Sequence, residues 1–170
     1  MDISIIVPVL NEEDNIEESI NSLLSQTYPI KEIIAVDDGS SDNSVSILKK
    51  IEEKHSIVKL ITSSEFSKHS PGYKVVNAFN RGFEELRFNW DVICKFDGDI
   101  LLPENYIEKL NKNFSKNPSL GMFGGLLTIK NGKDWILESI SDNEHVRGPI
   151  KAYSKPCFKA ICFVISNDFF

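Results

Sequence analysis

Apolar residues along this chain fall into two kinds of stretch that alternate with each other. Ile3 to Leu10 is a compact apolar run containing Pro8, the signature of a buried strand. Asn11 then offers an N-cap, and Glu12, Glu13 and Asp14 supply the negative charge favoured in a first helical turn. Ile16, Ile20, Leu23 and Leu24 give that helix one apolar face, and Tyr28-Pro29 ends it. Ile33 to Val36 reads as a second strand. Ser40 or Ser41 caps a second helix, with Ile47, Leu48 and Ile51 facing inward. Ile57 to Thr62 is a third strand, followed by a polar loop holding Lys68, His69 and Pro71. Val76, Phe79, Phe83 and Leu86, three and four apart, mark a third helix. Trp90 to Phe96 is a fourth strand. Pro103 suits the first turn of a fourth helix, whose inner face is Tyr106, Ile107, Leu110 and Phe114 and which Pro118 stops.

Up to about residue 117 the order is therefore strand, helix, four times over. That order predicts an α/β fold: a mostly parallel sheet with helices on both faces. Ligands of such sheets bind beyond the carboxyl ends of the strands. After Pro118 the rhythm changes. Gly121, Gly124 and Gly125 surround a predicted strand from Met122 to Ile129, and Asn131-Gly132 reads as a hairpin turn into Trp135 to Leu137. His145 to Pro149 reads as a strand or loop near the site, and Ser154 is a candidate cap for a short helix beginning near Pro156. Residues 1–117 are thus expected to be the ligand-binding core. Residues 118–170 continue the same domain.

The chemistry sits at the predicted strand ends. The fourth strand delivers Asp97-Gly98-Asp99, and alternation puts both carboxylates on one side. Such a pair repels itself unless a cation lies between its members, and manganese or magnesium suits carboxylate and phosphate oxygens. The competing reading is a solvated turn. A second acidic strand end, Asp37-Asp38-Gly39-Ser40-Ser41-Asp42, favours the cation. Lys95 alternates onto the same side as the two aspartates and can neutralise them.

Composition narrows the partners. The 170 residues carry 25 acidic and 19 basic side chains, a net charge of −6 with no basic block, which argues against a nucleic-acid binder. An acidic protein that binds an anionic diphosphate needs a counter-charge, and a divalent ion supplies one. Cys94, Cys157 and Cys162 lack metal-site spacing and read as reduced thiols. Strand-like sequence starts at Ile3, and no apolar run approaches the ~20 residues of a spanning helix. The expected location is the cytoplasm.

Val7-Pro8-Val9-Leu10-Asn11-Glu12-Glu13, Asp37-Asp38-Gly39-Ser40-Ser41-Asp42 and Asp97-Gly98-Asp99 follow successive predicted strands in that order. Over roughly residues 2 to 160 the chain resembles the family 2 glycosyltransferases of GT-A fold. Asn117 to Gly125 and Val146 to Tyr153 are similar to a bacterial branch of that family. The resemblance implies transfer of a sugar, with inversion, from a nucleoside-diphosphate donor such as a UDP-sugar to an acceptor hydroxyl in surface polysaccharide or glycan synthesis, with peripheral association at the inner membrane face where the acceptor is lipid-linked. It implies that Pro8, Val9, Asn11 and Glu12 lie beside the nucleoside and that Asp38 accepts a hydrogen bond from the base. Asp97 would face the ribose or metal, Asp99 would hold the metal, and Gly98 would let the diphosphate approach the backbone. Lys74 is the candidate cation near the diphosphate, and His145 and Arg147 are candidates on the acceptor or leaving-group side. The basic residue that many relatives carry just before the position of Asn80 is Phe79 here.

Inversion needs a base, normally a carboxylate. In relatives it follows a glycine pair and a Trp-Asp or Glu-Asp sequence, whereas here Ala160 to Phe170 holds neither. Asp168, Glu138, Asp142 and Glu144 are poor substitutes, so no base is assigned. The acceptor side is expected to be incomplete and transfer by this chain to be impaired. The alternative is a non-catalytic nucleotide-sugar binding module. A sugar-nucleotide pyrophosphorylase would want a basic, glycine-rich first loop where Asn11-Glu12-Glu13-Asp14 stands, and no G-x-G-x-x-G supports a dehydrogenase.

Overall fold

The computed structural model describes residues 1–62, 73–132, 134–138 and 146–167, with backbone only for Tyr73 and residues 162–167. Strands β1 (Ile3–Val9), β2 (Glu32–Asp37), β3 (Val58–Thr62) and β4 (Val92–Phe96) alternate with helices α1 (Ile16–Leu24), α2 (Ser44–Lys54), α3 (Tyr73–Glu84) and α4 (Tyr106–Lys116). Then follow β5 (Met122–Phe123), β6 (Thr128–Asn131), β7 (Asp134–Leu137), β8 (Ile150–Ser154) and α5 (Lys155–Asn167). The main sheet has six strands in the order β3-β2-β1-β4-β8-β5, and β6 and β7 form a separate hairpin. Pairs β1–β2, β1–β4 and β2–β3 are parallel, while β8 runs antiparallel to both β4 and β5.

Both faces of the sheet are covered. Ile3, Ile5, Val7 and Val9 of β1 pack with Ile33, Cys94 and Phe96 against Ile16 and Ile20 of α1, Leu48 of α2 and Ile107 and Leu110 of α4. The alternate residues Ile6, Ile34, Val36 and Ile93 meet Ala78 and Phe83 of α3 and Phe158 of α5. Strands β1 and β2 read as largely apolar runs because both of their faces are buried, whereas the edge strand β3 is only partly covered. Phe158 locks α5 in place, its ring centroid lying 5.0 Å from Phe83, 5.7 Å from Trp90 and 5.8 Å from Tyr153.

The chain leaves β1 toward β2 and later returns, through α3, to β4 on the other side of β1. A crevice opens at that reversal, beyond the carboxyl ends of β1 and β4. The β1–β4 ladder runs only from Ile3↔Val92 to Ile6↔Lys95, while β1–β2 continues to Val9↔Asp37. Pro8 lies past the β1–β4 pairing, so its missing N–H removes no bond from that ladder. The strand runs through Pro8 without a break.

Several local expectations change. Asn11 is not the cap of α1: it has a positive φ of 55°, and α1 begins at Ile16 after a turn in which the Ile16 amide donates to the Glu12 carbonyl at 2.8 Å. Glu17 and Glu18, not Glu12 to Asp14, fill the first turn. Asn43, rather than Ser40 or Ser41, precedes α2, and Pro103 lies ahead of α4 rather than in its first turn, the cap position being Asn105. Val76 points outward at 54 % exposure, its expected place on the inner face of α3 taken by Ala78 and Gly82. A Cβ on Gly82 would lie 2.7 Å from Ile6 Cγ2 and 2.9 Å from Val36 Cγ2, so a glycine is what lets α3 sit so close to the sheet. The predicted strand from Met122 to Ile129 is two short strands separated by a non-strand segment at 124–127. The Asn131-Gly132 hairpin forms as expected, with Gly132 at a φ of 63°. The loop holding Lys68, His69 and Pro71 lies outside the described residues.

Candidate functional site

A cavity of about 230 Å³ occupies the crevice, lined by Pro8, Val9, Leu10, Glu12, Asp38, Lys74, Val75, Ala78, Asp97, Gly98 and Asp99. Four chain segments separated in sequence meet there: the ends of β1, β2 and β4 and the first turns of α3. Of the sequence-predicted donor and metal residues, only Asn11 is absent from the lining.

Asn11 instead laces two loops together. Its side-chain oxygen accepts from the Ser41 amide at 2.8 Å, and its own amide donates to Ser40 Oγ at 2.8 Å. The neighbouring residues repeat the pattern: the Glu12 amide donates to Ser44 Oγ at 2.8 Å, and the Glu13 amide to Asp42 Oδ2 at 3.0 Å. In return, the Asn43 amide donates to Glu13 Oε2 at 2.9 Å. Left-handed backbone is easier for Asn than for most residues, and its short amide is well suited to bridge a second loop. These bonds fix the loop after β1 against the loop after β2.

The two adjacent aspartates after β2 divide their tasks. Asp37 is 2 % exposed and accepts from the Gly39 amide at 3.0 Å and the Ser40 amide at 3.2 Å, closing its own turn. Asp38 is thereby left to face the cavity. Its amide donates to the Val9 carbonyl at 2.9 Å, and its Oδ1 lies 3.9 Å from Arg81 Nη1 on α3. The side chain is 9 % exposed, yet Oδ2 is buried without a hydrogen-bond partner. A buried carboxylate oxygen with no donor is costly, and a ligand N–H would relieve it. Sequence reasoning missed Arg81. The signal was there, since Lys74, Ala78 and Arg81 are spaced i, i+4, i+7 along one helix face.

Across the cavity stand the carboxylates of Glu12, Asp97 and Asp99. Burial raises the Glu12 pKa, and the charges of Asp99, Asp42 and Asp97 raise it further against the lowering effect of the Asn15 amide. Asp97 is held from behind by the Lys95 ammonium, and its amide donates to the Pro149 carbonyl at 3.0 Å. A Cβ on Gly98 would lie 3.3 Å from Ile16 Cδ1 and 3.4 Å from Glu12 Cγ, so close packing of the loop already calls for glycine here. Hard oxygen donors of this kind suit Mg2+ or Mn2+. No group of three metal-ligating side chains converges among the described residues. The donor set therefore fits a cation that takes one or two carboxylates here and the rest of its ligands from phosphate and water.

On the far side of Asp99 a wider cavity of about 870 Å³ opens, with Leu101, Leu126 and Trp135 in its largely apolar wall and Lys109 at its edge. Arg147 lines neither cavity and pairs with Glu138 at 2.7 Å, both side chains being mostly buried. His145, Asp142, Glu144 and Asp168 lie outside the described residues. Cys94 is buried and Cys157 half-buried, and both are free thiols; burial pushes the Cys94 pKa up. No helix among the described residues is long and apolar enough to cross a membrane.

The family model described as Glycosyl transferase family 2 matches residues 4–166. The poly-beta-1,6-N-acetyl-D-glucosamine synthase of Staphylococcus epidermidis is 31% identical over 143 residues, which cover 84% of this chain and 32% of that protein. The synthase of the same name from Staphylococcus aureus is 30% identical over the same shares of the two chains. The chain thus spans about a third of the length of these curated relatives. Among solved structures, S. aureus TarS 1–349 superposes with a TM-score of 0.71 at 22% identity, covering 95% of this chain and 49% of that one. A complex of the same TarS fragment with UDP-GlcNAc gives 0.67, covering 95% and 48% at 22% identity. The mannosyltransferase PcManGT from Pyrobaculum calidifontis, in complex with GDP-Man and Mn2+, also gives 0.67, at 19% identity and covering 94% and 46%. At these identities the likeness is one of fold: a mostly parallel α/β sheet of GT-A type.

Proposed function

The chain belongs to glycosyl transferase family 2, and from that premise we propose that its crevice binds the nucleoside diphosphate of a UDP-sugar for transfer to a hydroxyl acceptor in surface polysaccharide or glycan synthesis. The observation that carries this reading is the partnerless, buried Oδ2 of Asp38 at one end of a cavity whose other end is Asp97-Gly98-Asp99. Uracil carries an imide N–H that would satisfy that oxygen. Pro8 and Val9 would flank the base, and Glu12 would lie beside the nucleoside. Asn11 would act at one remove, by holding the loops that form the wall. The UDP and UDP-GlcNAc complexes of TarS favour uridine, and the poly-N-acetylglucosamine synthases favour an amino-sugar donor.

Lys74, on the first turn of α3, would face the diphosphate. Asp99 would hold a divalent cation, manganese or magnesium, with Asp97 oriented beside it. When bound, that cation would neutralise the departing diphosphate. A cavity of about 230 Å³ suits a nucleoside better than a whole nucleotide sugar. The sugar would extend past Asp99 toward the wider cavity, and the acceptor would approach along the side of Leu126 and Trp135. The general base is not assigned: Glu138 is engaged by Arg147.

The test follows UDP release from UDP-GlcNAc and related donors with Mn2+, with and without hydroxyl acceptors, and reads the product's anomeric configuration by NMR. Transfer with inversion is the expected result. Binding without release would favour a nucleotide-sugar binding module. The absence of both binding and release would overturn the proposal.

A further inference from the structure

Lys95 is an unusual residue in the centre of this sheet. It lies on β4 between Cys94 and Phe96, paired across the ladders with Ile6 on one side and Lys151 on the other. Its side chain is only 14 % exposed. A desolvated ammonium needs partners, and Lys95 has two: the Asp97 carboxylate and the Gly148 carbonyl, the latter at 3.1 Å. Lys95 does not line the cavity, whereas Asp97 does. The Asp97 carboxylate is therefore held between a fixed positive charge behind it and the open cavity in front.

We propose that Lys95 is a built-in counter-ion that makes metal binding at Asp97-Gly98-Asp99 conditional on the nucleotide. Without it, Asp97, Asp99 and Glu12 would present three mutually repelling carboxylates to the cavity, an arrangement that attracts any divalent cation unaided. With it, one of those charges is cancelled and a second cation in front of Asp97 is repelled from behind. The incoming diphosphate restores the missing negative charge and supplies phosphate oxygens as ligands. Metal and nucleotide then enter together, which keeps the site from filling with free metal before the donor arrives. Lys95 is thus a positioning residue: it acts through Asp97 and touches neither donor nor metal. The same ammonium ties the Asp-Gly-Asp turn to Gly148, next to the Arg147–Glu138 pair.

This inference rests on the proposed donor site and is tested with Mn2+ alone as the probe, by electron paramagnetic resonance of the free ion. The proteins are the wild type, Lys95→Met, Lys95→Gln, which keeps a donor for Gly148, and Lys95→Arg, which keeps the charge. Each is checked for a cooperative melt. Wild type and Lys95→Arg should bind Mn2+ weakly until UDP is added. Lys95→Met and Lys95→Gln should bind Mn2+ alone about tenfold more tightly or better, and gain correspondingly less from UDP. Unchanged Mn2+ affinity in folded Lys95→Gln, with wild type still binding Mn2+ and UDP together, overturns this inference and leaves the donor site standing. Wild type that binds no Mn2+ even with UDP overturns both.

Discussion

Arg81 Nη1 lies 3.9 Å from Asp38 Oδ1 at the edge of the crevice, while the other oxygen of Asp38 is buried and unpaired. The fold thus leaves half of a buried carboxylate unsatisfied, an arrangement that costs stability and readies the site for a hydrogen-bond donor. Asp38→Asn should lower affinity for UDP by about tenfold or more, because the amide presents the wrong group to an imide N–H. With its oxygen kept toward Arg81, the amide turns an NH2 donor into the cavity in place of the acceptor, and the same variant should melt at or above the wild-type temperature. Calorimetry and thermal denaturation read the two effects separately. Weaker binding with a lower melting temperature would mean that Asp38 is structural.

Asn11 carries a second prediction. Asn11→Ala loses the bonds to Ser41 and puts alanine at a φ of 55°. The expected loss is about 1–3 kcal/mol by urea denaturation, from unfavourable left-handed backbone and a lost hydrogen bond. Asn11→Gly removes the bond but tolerates the backbone, so it should lose less. Equal losses would show that the backbone conformation is unimportant.

Glu12 predicts a pH dependence. Its pKa is raised in the folded chain, chiefly by burial and then by neighbouring acids. Folding therefore favours the protonated form, and the stability linked to Glu12 is present below its ordinary range near ~4.3 and lost as pH rises above it. Glu12→Gln removes that loss. Its melting temperature should exceed the wild type's slightly at pH 7 and by less at pH 4. Glu12 remains in contact with solvent, so the effect is small. A gap that widens toward acid pH would contradict the assignment.

Gly82→Ala should destabilise by about 1–3 kcal/mol, since the new methyl meets the buried tips of Ile6 and Val36. Because α3 carries Lys74, Ala78 and Arg81, UDP affinity should fall as well. A chemical melt and a binding isotherm on the same sample check both, and an unchanged melt would mean that α3 sits less tightly than the distances imply.

The strands and the crevice were legible in the sequence because buried parallel strands leave continuous apolar runs and because polar residues break those runs at the carboxyl ends. Lys95 was legible by simple alternation. Asn11 was not, since the same short amide serves equally as a helix cap or as a left-handed bridge, and only the position of Ser41 decides between them. The division between Asp37 and Asp38 was hidden for a similar reason: the β1–β2 register, ending at Val9↔Asp37, determines which one turns inward. Strand β8 escaped because Ile150-Lys151-Ala152-Tyr153-Ser154 has no long apolar run, and its place beside β4 depends on contacts some sixty residues apart in sequence. Arg81 was overshadowed by the expectation of a basic residue at Phe79, two positions earlier on a different face of the helix.

The most direct test of the donor site is a calorimetric titration of the chain with UDP, with and without Mn2+, beside Asp99→Ala. The account predicts binding that strengthens at least about tenfold with Mn2+ and loses that gain in Asp99→Ala, while both proteins melt alike. UDP binding that ignores both Mn2+ and Asp99, or no binding by a folded wild type, would contradict it.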